Sequence, residues 1–122
     1  MTLPYDPTNI FARILRGEIP NKTVMDSAHT LAFHDIVPQA PVHVLVIPKG
    51  AYVDFAQFAA RASAEEIADF HRTCAKVCEM VGLTGDGFRA ITNSGAHGHQ
   101  EVPHYHLHIL GGRALGPMLT HS

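Results

Sequence analysis

The segment His104-Tyr105-His106-Leu107-His108-Ile109-Leu110 alternates polar and apolar residues with a period of two. Successive side chains of a strand point to opposite faces, so the three imidazoles share one face while Tyr105, Leu107 and Ile109 share the other. The apolar face belongs against a core, and the chain must build a sheet to supply it. Exposed strand positions are ordinarily filled by residues such as Thr, Lys or Glu, so three histidines in register call for a chemical reason. Ten histidines occur in the chain and five lie between His97 and His108, which concentrates the chemistry there.

Around this segment the pattern predicts an α+β fold, a five-stranded antiparallel sheet with two helices. Asp6 to Gly17 reads as a first helix, with Asp6 as cap, Pro7 at the first helical position, Gly17 as stop and Ile10, Phe11, Ile14 and Leu15 on one face. Short β-type runs follow at Thr23 to Met25, Leu31 to His34 and Val42 to Ile47, separated by polar or Pro-containing breaks. Ser63 followed by Glu66 is a capping-box signature, and Ile67, Phe70, Cys74, Val77 and Val81 then continue a helical stripe to Gly82. A fourth strand is expected from Phe88 to Asn93. A Gly- and His-rich loop from Ser94 to Pro103 leads into a fifth strand, His104 to Leu110, ended by Gly111-Gly112.

The chain of 122 residues, 46% hydrophobic, is the size of one globular domain, taken here as 1–122. Nine Lys and Arg against eleven Asp and Glu give no basic footprint for nucleic acid or an anionic membrane, which leaves a small-molecule substrate as the expectation. The first ten residues carry Pro4, Asp6, Pro7 and Asn9 where a signal peptide needs a cationic patch and an apolar run, and no stretch is as long as a membrane span. A cytoplasmic protein is expected. Cys74 and Cys78 lie four apart on one helix face and read as small core residues.

Two chemistries fit the histidines. His-x-His on a strand can begin a zinc site, but His104 and His108 are separated by roughly 13 Å at the usual strand rise, so one ion does not account for all three. Two of them with His43 could still ligate a metal. The alternative is phosphoryl chemistry. The chain lacks a carboxylate cluster to hold Mg²⁺ beside phosphates, so charge would be met by imidazolium groups, backbone N–H groups and amides. Imidazole is a good neutral nucleophile near pH 7, and the phosphorus–nitrogen bond it forms hydrolyses readily.

The string from His104 to Leu110 resembles the signature of the histidine triad family: His-apolar-His-apolar-His and two further apolar residues. Gly111-Gly112-Arg113, Ile10-Phe11, Glu18-Ile19-Pro20, the run from Ala32 through Phe33-His34-Asp35-Ile36 and Pro38-Gln39-Ala40-Pro41, and Ile47-Pro48-Lys49 resemble its Hint branch of purine nucleoside phosphoramidases. The resemblance spans 10–113. It implies a hydrolase that cleaves purine nucleoside phosphoramidates through a nucleotidyl-histidine, requires no metal or cofactor, and continues its sheet across a homodimer. A dinucleoside polyphosphate hydrolase, from another branch, and a non-enzymatic nucleotide- or zinc-binding module are the alternatives.

Carried over by position, the resemblance makes His106 the nucleophile and His108 a phosphate contact that assists the leaving group, with His104 and His43 as a hydrogen-bond relay behind His106. Asp35 would accept the ribose hydroxyls, and Ile36, Ile10, Phe11 and Ile14 would enclose the purine. Asn93, His99, Gln100 and Glu101 would surround the phosphate. Two positions depart from the pattern: His99 stands where many relatives have glycine, and Glu101 where well-known relatives have a phosphate-contacting serine. His34, His71 and His121 read as surface or half-buried histidines, and His97 has no assigned role.

Overall fold

The computed structural model describes residues 4–119. The elements run α1 (Ile10–Leu15), β1 (Thr23–Asp26), β2 (Thr30–His34), β3 (Val42–Pro48), α2 (Phe55–Arg61), α3 (Ala64–Met80), β4 (Arg89–Ile91) and β5 (Leu107–Gly111). The strands form one antiparallel sheet in the order β1-β2-β3-β5-β4, in keeping with the α+β reading.

Among the described residues the helices number three, not two. Asp54 caps α2 by accepting the Gln57 N–H at 2.9 Å, while the Gln57 side chain accepts the Val53 N–H at 2.7 Å. This short helix buries only Phe58, so it leaves no periodic stripe to read. The first helix is shorter than Asp6 to Gly17 because Asp6 spends its carboxylate on the Thr8 N–H and hydroxyl. The cap passes to Asn9, whose Oδ1 accepts the Ala12 N–H. In α3 the capping box forms as expected, with Ser63 and Glu66 each accepting the other's backbone N–H.

The sheet is covered on two sides. Ala32, Val44, Val46 and Ile109 pack with Phe70, Val77 and Cys78 of α3, while Leu31, Phe33, Leu45 and Ile47 pack with Phe11 and Ile14 of α1. Burial on both faces explains why β3 is apolar almost throughout. Cys74 and Cys78 are free thiols packed into the α3 side. Among the described residues no helix is long and apolar enough to cross a membrane.

The last strand starts at Leu107, so His104 and His106 lie ahead of it, contrary to the expected span from His104. The β3 ladder stops at the pair Val46–Leu107, and β4 is only three residues long instead of Phe88 to Asn93. The segment upstream is held by other bonds: the Tyr105 N–H donates to the Tyr52 carbonyl at 2.7 Å, and the Thr92 hydroxyl to the His106 carbonyl at 2.8 Å. The alternation survives there. Tyr105 is buried on the α3 side, stacked on Phe58 and Phe70 at 5.0 and 5.1 Å between ring centroids, and His104 and His106 turn towards Phe11 of α1.

Phe58 is thus the buried ring by which α2 packs on the histidine segment, and Phe55 of the same helix meets Tyr105 edge-on at 6.1 Å. Replacing it, Phe58→Ala, should cost about 3–5 kcal/mol, read as a lower urea midpoint with an unchanged slope.

Candidate active site

A cavity of about 390 Å³ opens on the α1 side of the sheet. Ile10, Phe11, Ile14, Asp35, Ile36, Asn93, His99, Glu101, His106 and His108 all line it, whereas His43, His104 and Gln100 do not. The sequence reading missed Ile19, Phe33, Leu45 and Val102 in the wall, and His34, set aside as a surface residue, is at its edge. Period two from Asp35 and from His43 would have found Phe33 and Leu45.

Backbone groups decide the tautomer of each imidazole. His106 Nδ1 lies 2.7 Å from the His104 carbonyl, an acceptor only, so Nδ1 carries the proton and Nε2 the lone pair. His104 Nε2 lies 2.9 Å from the Pro48 carbonyl and is the protonated nitrogen, so its Nδ1 accepts from the Tyr5 hydroxyl at 2.6 Å. The Gln39 N–H donates to His43 Nδ1 at 3.0 Å, which leaves the proton of His43 on Nε2. That nitrogen is 2.9 Å from His108 Nδ1 and 3.4 Å from Asp35 Oδ2. His108 therefore accepts at Nδ1 and keeps its own proton on Nε2. Among the described residues every fully buried side-chain nitrogen and oxygen has a partner, and Nε2 of His106 and of His108 has none in the protein. Both consequently open into the cavity that their residues line.

The expected relay is split in two. His106 is held by the backbone carbonyl of His104 and not by its ring, and His43 supports His108.

Burial sets the charge state. It pushes His104 and His108 down to about 4, and it also lowers His106 and His43 below the ordinary 6.5. The neighbouring imidazoles add to the effect at His108, and the Asp35 carboxylate opposes it at His43. At neutral pH the site presents a neutral imidazole with an open lone pair and a neutral N–H donor, in place of the imidazolium groups anticipated from sequence. Among the described residues no Lys or Arg lines the cavity.

The loop before β5 accounts for the two departures. His99 has φ 57°, the left-handed region that glycine enters without strain. Glu101 sits 3.2 Å from His99 Nε2, with both side chains largely exposed. The Gln100 amide is spent inside the protein: it accepts the Gly95 N–H and donates to the Val53 and Val102 carbonyls. Gln100 shapes the loop and makes no wall.

Asp35, His43 and His108 offer ligand atoms within 4.8 Å of one another. They fit a resident metal poorly. With the Gln39 N–H on Nδ1, the neutral His43 ring has its proton on Nε2 and no lone pair to offer there, whereas a ligating imidazole ordinarily donates through its second nitrogen. His43 and His108 share a hydrogen bond instead, with the Asp35 carboxylate 3.4 Å from the same His43 Nε2.

The comparisons with known proteins agree with this architecture. The HIT domain model matches residues 16–115, and the chain belongs to the HIT family. It is 56% identical over 120 residues to a 13.2 kDa HIT-like protein of Azospirillum brasilense, covering 98% of each chain. It is 42% identical over 113 residues to the purine nucleoside phosphoramidase of Escherichia coli K12, covering 93% of this chain and 94% of that one. Among solved structures, a HIT family hydrolase from Clostridium thermocellum superimposes with a TM-score of 0.84 at 35% identity, over 98% of this chain and 100% of the other.

The lowered imidazoles make stability depend on pH with a definite sign. A histidine whose folded value lies below 6.5 binds its proton more readily when unfolded, so stability is complete above that value and is lost as pH falls towards the folded value. For His104 the loss is on the order of 3 kcal/mol. Urea unfolding at constant ionic strength should be flat above pH 7 and weaken from pH 6.5 to 4, a window above that of the carboxylates. A flat profile through that window would contradict neutral, buried imidazoles.

Proposed function

We propose that the chain is a hydrolase that cleaves purine nucleoside 5′-phosphoramidates through a nucleotide bonded to His106. The observation that carries this reading is the state of His106: Nδ1–H is tied to the His104 carbonyl, and the Nε2 lone pair faces the cavity. In the first step Nε2 bonds to the α-phosphorus and the phosphorus–nitrogen bond breaks, its electron pair leaving with the nitrogen, which takes a proton from water. The positive charge that develops on the ring is met by the carbonyl at Nδ1. His108 Nε2–H donates to the phosphate or the bridging atom. In the second step water attacks phosphorus, the bond from phosphorus to His106 breaks with its electron pair returning to Nε2, and the proton given up by the water neutralises the hydroxide left by the first step, releasing the nucleoside monophosphate.

The remaining wall suits a nucleotide. Ile10, Phe11, Ile14, Phe33 and Leu45 form an apolar slot for the base, with Ile36 at its mouth. One oxygen of Asp35 accepts the Val37 N–H, and its carboxylate, in the cavity wall, would take the ribose hydroxyls. Asn93, His99 and Glu101, which share the wall with His106 and His108, would surround the phosphate. The named activity of the Escherichia coli relative supports the same substrate class.

We infer also that the active form is a homodimer with a continuous sheet, because β4 is an edge strand with one side of its backbone unpaired. Sedimentation at micromolar concentration should give the mass of two chains.

The functional test combines turnover with intact-mass measurement. Wild type should turn over an adenosine phosphoramidate faster than a diadenosine polyphosphate. Rapid quenching without acid should trap one adenylyl group on His106, most readily in His108→Ala. His106→Ala should lose on the order of 10⁴-fold or more in kcat, with nucleotide binding kept within a few-fold. Preference for the diadenosine substrate would move the chain to the other enzymatic branch, and activity surviving in His106→Ala would remove the nucleophile.

A further inference from the structure

We propose that Tyr5 is a positioning residue for the reaction assigned above, acting on His106 through His104; the inference rests on that functional reading. Tyr5 lies outside the span matched by the HIT domain model, 16–115, yet its hydroxyl is 2.6 Å from Nδ1 of a triad histidine 99 residues away. Its ring also meets the His104 ring edge-on at 5.5 Å between centroids.

The hydrogen-bond chain gives the contact its consequence. His104 is completely buried, and Nε2–H is committed to the Pro48 carbonyl. Its Nδ1 lone pair must find a donor inside the protein, and the Tyr5 hydroxyl is that donor. The carbonyl of the same residue orients the nucleophile by accepting His106 Nδ1–H. That carbonyl lies ahead of β5, outside the regular ladder, so the ring of His104 acts as the peg that holds its backbone. Tyr5 and Pro48 pin the peg from its two nitrogens.

The segment carrying Tyr5 is itself fastened to α1. Asn9 Nδ2 donates to the Asp6 carbonyl at 2.7 Å, and Arg16 donates to the Pro7 carbonyl at 2.8 Å. Tyr5 touches neither the cavity nor the reacting atoms, and its effect therefore belongs to the alignment of His106 and not to substrate affinity.

The discriminating variant is Tyr5→Phe, which keeps the ring and its packing and removes only the donor. Steady-state kinetics on an adenosine phosphoramidate should show kcat reduced about tenfold with KM within twofold of wild type. In histidine labelled with ¹⁵N, the His104 Nδ1 resonance should move towards that of an unbonded lone pair. An unmoved His104 Nδ1 resonance, an unchanged kcat, or a raised KM at constant kcat would overturn the positioning role. The nitrogen shifts are read without substrate, so a wild type that turns over no phosphoramidate would defeat the functional reading while Tyr5 as the partner of His104 is still tested.

Discussion

The bond from His106 Nδ1–H to the carbonyl of His104 is the constraint around which this molecule is arranged. A neutral imidazole has one lone pair, and it is useful to a phosphorus atom only if something else holds the proton on the opposite nitrogen. A carbonyl two residues back does this without adding charge. It works because the segment departs from the regular ladder just before β5, which frees that carbonyl from strand pairing, and because Tyr105 is clamped among Phe58 and Phe70 on the other face. Packing on the α3 side and chemistry on the α1 side are thus two faces of the same seven residues.

Burial of four imidazoles around one cavity has opposing effects. It disfavours the charged form of each ring and keeps His106 neutral, but it also requires a partner for every nitrogen that water cannot reach. The protein meets that requirement with the carbonyls of Pro48 and His104, the N–H of Gln39, the hydroxyl of Tyr5 and the pairing of His43 with His108. The same assignment of protons separates this site from a metal centre: ring nitrogens that accept from backbone N–H groups, or donate to one another, are not free to ligate. With no Lys or Arg among the described residues of the wall, a phosphate would be met by neutral donors, which bind through geometry more than through net charge.

The loop between β4 and β5 is where this chain has its own character. His99 holds a left-handed backbone, and its side chain pairs with Glu101 on the surface, so the carboxylate that stands in place of a serine has an imidazole beside it. Gln100 fastens the loop to Val53 and Val102 from within. A residue chosen for phosphate contact in the sequence thus proves to shape the loop instead.

The sequence by itself determined the sheet class, the long capped helix and the face on which the histidines lie, because each of these is written in short-range periodicity: two along His104 to Leu110, and three to four along α3. It also singled out ten residues that line the cavity. It did not determine that His104 stays out of the cavity wall, that His43 pairs with His108, or that α2 packs on Tyr105. Those relations run through backbone groups, which every residue carries, and through contacts such as Tyr5 to His104 that join distant parts of the chain. Only the tertiary structure could decide them, since hydrogen-bond partners of buried rings are set by where the chain returns in space and not by which residue stands next in line.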